Sequence, residues 1–158
     1  MPRRYRPQKR KIQPDVRYNN VQVQSFINRV MKRGKKSTAT RLMYDTFDLI
    51  EEQTKKDPLE VFQQALRNVS PAMEVKPRRV GGATYQVPME VSADRQFALA
   101  TRWILASAQA RSGRSFSEKL AGELTDAYNN TGSSIRKRDE THKMAEANRA
   151  FSHYRIGR

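Results

Sequence analysis

With 158 residues the chain is long enough for one domain with a real core, and 31 lysines and arginines against 16 acids give a formal net charge of +15. That balance points to nucleic acid rather than a membrane: the longest apolar run, FALATRWILASA, is cut by Arg102, short of the roughly 20 residues of a spanning helix. Without cysteine there is no disulfide or thiolate metal site, and His142 and His153 are too far apart for a helical ligand pair, so no metal and no cofactor is expected.

The segment Met1–Lys11 carries Arg3, Arg4, Arg6, Lys9, Arg10 and Lys11 with no acid before Asp15. It has no apolar stretch behind it, so it does not read as a secretory signal. Pro2, Pro7 and Pro14 disfavour a helix. Residues 1–18 are therefore expected to be a basic extension that orders on a polyanion, the alternative being a solubilising tail. The first helix follows: Val23, Phe26, Ile27, Val30 and Met31 fall on one stripe. Lys32-Arg33-Gly34-Lys35-Lys36 ends it, with Gly34 expected at C′. Cations suit a helix C-terminus on their own account. This turn has more of them than one dipole needs, which makes Arg33, Lys35 and Lys36 candidate phosphate contacts.

Ser37 is expected to cap the second helix, with Ala39, Leu42, Met43, Thr46, Phe47 and Ile50 inward. Asp57-Pro58 with Glu60 opens the third as a capping box with proline at N1, and Val61, Phe62, Ala65, Leu66 and Val69 form its stripe.

Met73–Val91 reads as a β-hairpin about Gly81-Gly82. Tyr85, Val87, Met89 and Val91 alternate with polar or proline positions, as Met73, Val75 and Pro77 do in the first arm. A two-residue loop would set Tyr85 opposite Arg78 and Val87 opposite Lys76, mixing the faces. A three-residue loop, Gly81-Gly82-Ala83, sets Val75 opposite Met89 and Met73 opposite Val91. It is the expected one, because it leaves one apolar and one basic face. Pro71, Pro77 and Pro88 keep both arms out of a large sheet. A lone two-stranded ribbon is marginal in water, so its base should rest on helices while Lys76, Arg78 and Arg79 project on a finger of on the order of 25–30 Å. The alternative is a solvated hairpin with incidental charge.

Ser92 is expected to cap a fourth helix through about Arg111, apolar on most sides at Phe97, Leu99, Ala100, Trp103, Ile104, Leu105 and Ala108, and so the central one. Arg95, Arg102 and Gln109 recur every seven residues as its one polar stripe, which must face water or an anion. Trp103, among Leu, Ile and Ala, is read as core rather than as a base-stacking residue. Arg111 and Arg114 lie in a loop before a fifth helix capped by Ser115 and Glu118, with Leu120, Ala121, Leu124, Ala127 and Tyr128 inward. A sixth, capped by Ser133 or Ser134, puts Arg136, Lys137 and Arg138 in its first turn. Cations oppose the dipole there unless a phosphate arrives. Arg138, His142 and Arg149 are expected on one side of it, and residues 151–158 as a tail.

The expected fold is mostly α: a six-helix single domain at 19–158 with a hairpin at 73–91 and the extension at 1–18. The leading class is a structured-RNA-binding protein whose cations bind phosphate along one concave surface, with specificity from RNA shape. A DNA-binding regulator is the alternative, although no helix-turn-helix pattern surrounds helix six. Competition between duplex DNA and structured RNA separates the two. An enzyme is the weakest reading, since neither GxxxxGK nor a paired-carboxylate cluster is present.

Two long stretches, NVSPAMEVKPRRVGGATYQVPMEV at Asn68–Val91 and ATRWILASAQARSGRSFSEKLAGELTDAYNNTGSSIRKRDETHKMAEANRAFSHYR at Ala100–Arg155, together with the opening MPRRYRPQKRKIQPD, closely resemble the universal ribosomal protein number seven family of the small subunit, bacterial type. The resemblance spans essentially the whole chain. It departs at Ile156-Gly157-Arg158, where bacterial relatives commonly carry an aromatic residue after HYR. It implies a non-enzymatic constituent of a cytoplasmic ribosome, an organellar one remaining open. It implies binding to the 3′ major domain of small-subunit ribosomal RNA, nucleation of head assembly, and a place near the exit-site transfer RNA, the messenger exit path and neighbouring head and platform proteins. Arg78, Arg79, Val80, Gly81, Gly82, His153, Tyr154 and Arg155 would be the residues nearest transfer and messenger RNA.

Overall fold

The computed structural model describes residue 8 and residues 10–154, so Arg3, Arg4, Arg6, Lys9, Arg155 and the Ile156-Gly157-Arg158 end lie outside the described residues. Its elements are α1 (Val21–Val30), α2 (Lys36–Thr54), α3 (Pro58–Val69), β1 (Met73–Val80), β2 (Ala83–Glu90), α4 (Ala93–Ala110), α5 (Phe116–Tyr128), α6 (Ser133–Ala147) and a 3-10 helix (Arg149–Tyr154). The mostly helical architecture with one antiparallel hairpin is the expected one. No helix among the described residues is long and apolar enough to cross a membrane. The chain divides inside α2, between Arg41 and Leu42, into two compact units.

In the first unit, the Asp15 carboxylate accepts from the backbone N–H groups of Arg17 and Tyr18, both at 3.1 Å. This closes a turn just before Asn20, whose side chain caps α1 by accepting from Gln22 and Val23. Val23, Phe26 and Ile27 are fully buried, as the stripe requires. The helix stops earlier than expected, with Met31 as its C-cap. Gly34 is not at C′; it follows Arg33 in a turn where both residues have positive φ, 53° and 74°. The Lys36 N–H closes that turn on the Gly34 carbonyl at 2.9 Å. As a result α2 starts at Lys36 and Ser37 falls inside its first turn rather than capping it.

In the second unit, α3 begins as expected, with Pro58 at its start and the Asp57 carboxylate accepting from Leu59 N–H at 3.1 Å. Phe47 of α2 meets Phe62 of α3 edge-on at 5.6 Å between centroids, a favourable aromatic geometry. Both rings are fully buried, as are Ile104 of α4 and Leu120, Ala121, Leu124 and Ala127 of α5. The centre is not α4 alone. α5 packs on α3, α4 and α6. Trp103 and Leu105, expected inside, are half-buried, while Arg95, Arg102 and Gln109 are exposed as a stripe should be.

The hairpin departs from expectation in register. Val80 pairs with Ala83, Arg78 with Tyr85, Lys76 with Val87 and Met73 with Glu90, so the loop is two residues long. Gly81 and Gly82 both have positive φ, 58° and 89°, as a type I′ turn demands. That turn matches the right-handed strand twist, and it overrides segregation of the faces because the base is covered on both of them. Tyr85 stacks on Tyr154 at 5.1 Å and lies 5.3 Å from Phe151. On the opposite face, Met73 and Pro88 line a cleft with α6. The buried anchors are Val87 and Pro88, whereas Val75 is half-buried. Residues 149–154 are accordingly no tail but the cover of β2.

Candidate nucleic-acid interface

The candidate interface begins with how the acids are used. Glu74 of β1 is buried and holds Lys76 at 3.0 Å and Arg95 of α4 at 3.3 Å. Burial alone would raise its carboxyl. The hydrogen bonds to Lys76 and Arg95 and the charges of both cations outweigh that and hold it below the usual carboxylate range. Arg95 is thus exposed but anchored, and it ties the hairpin to α4. A second tie comes from α6, where His142 Nε2 accepts from Ala72 N–H at 3.1 Å and the ring therefore carries its proton on Nδ1. His142 and Arg149 line the open cleft of about 370 Å³ against Met73 and Pro88. They share that cleft from two elements, since α6 ends at Ala147, before Arg149. Arg138 is turned inward, donating to the Asn68 carbonyl and pairing with Asp139 at 2.7 Å.

Arg111 is also committed within the protein. Its guanidinium donates to Asp126 at 2.6 Å and to Glu123 at 2.8 Å, hydrogen bonds that hold it above its ordinary range. Glu123 is fully buried and accepts as well from the backbone N–H and hydroxyl of Ser134, at 3.0 and 2.6 Å. The start of α6 is therefore capped by a carboxylate from α5, and neither Ser133 nor Ser134 is its cap; the N-cap is Gly132. The phosphate expected at that helix end is replaced by Glu123. Its sequence signal was available: Glu123 lies among Leu120, Leu124 and Ala127, an acid inside an apolar stripe.

The other candidates face outward. Arg10, Lys11, Arg33 and Lys35 are exposed in the first unit, and Lys36 donates to Asn28. In the second, Arg79, Arg102, Arg114 and Arg136 are exposed and form no ion pair with a described residue, while Lys137 reaches Glu140 at 3.1 Å. Arg78 is half-buried beside Tyr85, Val80 is half-buried, and Gly81 and Gly82 are exposed at the tip. His153 is exposed and bonded through Nδ1 to the Ala150 carbonyl, and Tyr154 is half-buried. By contrast, the exposed side of α2 and the start of α3 carry Asp45, Asp48, Glu51, Glu52, Asp57 and Glu60 beside Lys55 and Lys56, a surface with an excess of acid. No group of three potential metal ligands occurs among the described residues.

Solvent-facing cations on a helical scaffold, in a chain with a net charge of +15, define a polyanion-binding protein. The comparisons with known proteins specify which. The family model described as Ribosomal protein S7p/S5e matches residues 2–149. The small ribosomal subunit protein uS7 of Chloroflexus aggregans is 60% identical over 98% of each chain. Those of Thermomicrobium roseum and Thermotoga petrophila are 58% and 59% identical, over 98% and 97% of this chain and 99% of theirs. The chain belongs to the S7p/S5e family of ribosomal proteins, which is a family of structural constituents and not of enzymes.

Proposed function

We propose that the chain binds small-subunit ribosomal RNA at the multi-helix junction of the 3′ major domain and nucleates assembly of the subunit head. Its hairpin would lie toward the exit-site transfer RNA and the messenger exit path, beside head and platform proteins, on a cytoplasmic ribosome. The observation that carries the reading is the sorting of charge. In the hairpin and α4–α6, Glu74, Glu118, Glu123, Asp126, Asp139 and Glu140 are tied to neighbouring groups and Asp94 and Glu146 are exposed, while Arg79, Arg102, Arg114 and Arg136 are exposed and form no ion pair with a described residue. Phosphate contacts of that kind supply affinity, and RNA shape supplies specificity. Footprinting on intact small-subunit RNA tests the proposal: protection should concentrate in the 3′ major domain, and protection elsewhere, or equal competition by duplex DNA, overturns it.

Arg102 gives a residue-level check. Arg102→Glu should reduce RNA affinity more than Arg102→Ala, because it sets like charge against phosphate as well as removing a contact. Equal losses in a filter-binding titration would make Arg102 an internal partner. The hairpin gives another. Arg79, Gly81, Gly82 and Ala83 are exposed, so Arg78→Ala with Arg79→Ala, or a hairpin shortened by the Val80–Ala83 pair, should leave the fold and subunit assembly intact while changing transfer-RNA retention at the exit site. Purified subunits should have full composition and altered occupancy. Stalled assembly with normal occupancy would assign the tip to assembly instead.

A further inference from the structure

Both segments flanking α5 are fastened to that helix, by its acids and by the main-chain carbonyl of Asp126. Ahead of it, Arg111 is bonded to Glu123 and Asp126, and the N–H of Arg114 donates to Glu118 at 3.2 Å. Behind it, Ser134 is bonded twice to Glu123, and Thr131 donates through its N–H and hydroxyl to the Asp126 carbonyl at 2.8 and 3.0 Å. One buried carboxylate is thus shared by the loop before α5 and the first turn of α6, which sets those two stretches side by side. The junction has no slack. Gly132 stands at φ 95°, where a Cβ would lie 3.1 Å from the Asp126 Cβ and 3.3 Å from Glu123 Oε1. A Cβ at Gly122 would lie 3.3 Å from the Arg111 guanidinium. What the two fastened stretches leave outside are Arg114 and Arg136, exposed and without ion pairs among the described residues.

We infer that Glu123, through Arg111 and Ser134, is a positioning residue for RNA binding: it never meets RNA, but it fixes the spacing of Arg114 and Arg136 so that both engage phosphate without further ordering. The inference rests on the RNA-binding reading above. Each long side chain or segment that must be ordered on binding costs affinity, and a scaffold that orders it beforehand removes the cost. Arg111 has a second task here. It neutralises a carboxylate that would otherwise oppose an approaching phosphate.

The test is a double-mutant cycle on the full-length chain with a 3′-major-domain RNA fragment, well below the melting temperature. Glu123→Gln keeps an oxygen for Ser134 and removes the ion pair; it should weaken binding about tenfold, the loss expected for two segments that must then order on RNA. In a chain already carrying Arg114→Ala and Arg136→Ala, the same change should cost no more than about twofold, because there is nothing left to position. Asp126→Asn, a milder change at a partly exposed acid, should show the same background dependence if Glu123→Gln lowers helix content. Equal losses in both backgrounds, or a lowered melting temperature with unchanged affinity, overturn the positioning role. If the unmodified chain does not retain the fragment, the RNA-binding reading itself fails, an outcome distinct from the others.

Discussion

Raising the salt from 50 to 200 mM should weaken binding to a small-subunit RNA fragment by roughly 10³–10⁵-fold on the duplex calibration, for about 6–10 phosphates neutralised, and less steeply where the RNA is single-stranded. The expectation follows from the net charge of +15 and from the exposure of Arg10, Lys11, Arg33 and Lys35 in one unit and of Arg79, Arg102, Arg114 and Arg136 in the other. Residues held by internal partners should contribute little to the slope. Removing Arg111 should therefore lower stability while changing the slope less than removing Arg102 does. A titration series at four or five salt concentrations checks the total, and a nearly flat line would show that the exposed cations do not meet phosphate.

Phe62→Ala should cost about 3–5 kcal/mol, the range for deleting a large buried aromatic side chain. Phe62 is fully buried, edge-on to Phe47, in the layer where α3 meets the second unit's part of α2. Such a loss is a large fraction of the roughly 5–15 kcal/mol that holds an ordinary domain together. At about 2–4 °C per kcal/mol for a chain near this size, the melting temperature should fall by roughly 6–20 °C. Scanning calorimetry measures the shift. RNA affinity well below the transition should be nearly unchanged, since the ring touches nothing at the surface. A loss of affinity with little loss of stability would contradict this separation of core from interface.

Helix periodicity carried most of the fold. The stripe of α3 is buried as its spacing requires, as are those of α1 and α5 apart from half-buried Val30, Met31 and Tyr128, because burial of one helix face is a local property of sequence. Ends were harder to read. The turn after α1 depends on two successive left-handed residues, Arg33 and Gly34, and arginine gives no hint of that backbone. The hairpin register was misjudged because face patterning assumes that one face is wet, whereas Tyr85 and Val87 are covered on a side they share with Arg78 and Lys76. Covering comes from residues 149–154, distant in sequence, and no local pattern reveals it.

The candidate site was legible as a list of cations but not in its division of roles. Arg102 and Arg111 look alike in sequence; one is exposed without an ion pair among the described residues and the other holds two acids. The difference is set by Glu123 and Asp126, which only the packing of α5 brings to Arg111. Searching for acids inside apolar stripes would have found Glu123, and with it the cap of α6.

The packing of Tyr85 against Phe151 and Tyr154 has a consequence for the order in which the protein is made. Both strands of the hairpin leave the peptidyl-transferase centre before α4, while the aromatic pair that covers β2 comes roughly 60 residues later, on the order of 3–12 s at bacterial rates of ~5–20 residues per second. For that interval the nascent ribbon lacks its cover, and two unpaired edges stand open to other chains. Pro77 and Pro88 are placed within those strands, where each removes an amide hydrogen that a foreign strand would need. The prolines thus guard the edges of the hairpin from synthesis onward, and residues 149–154 cover its Tyr85 face once translation has reached them.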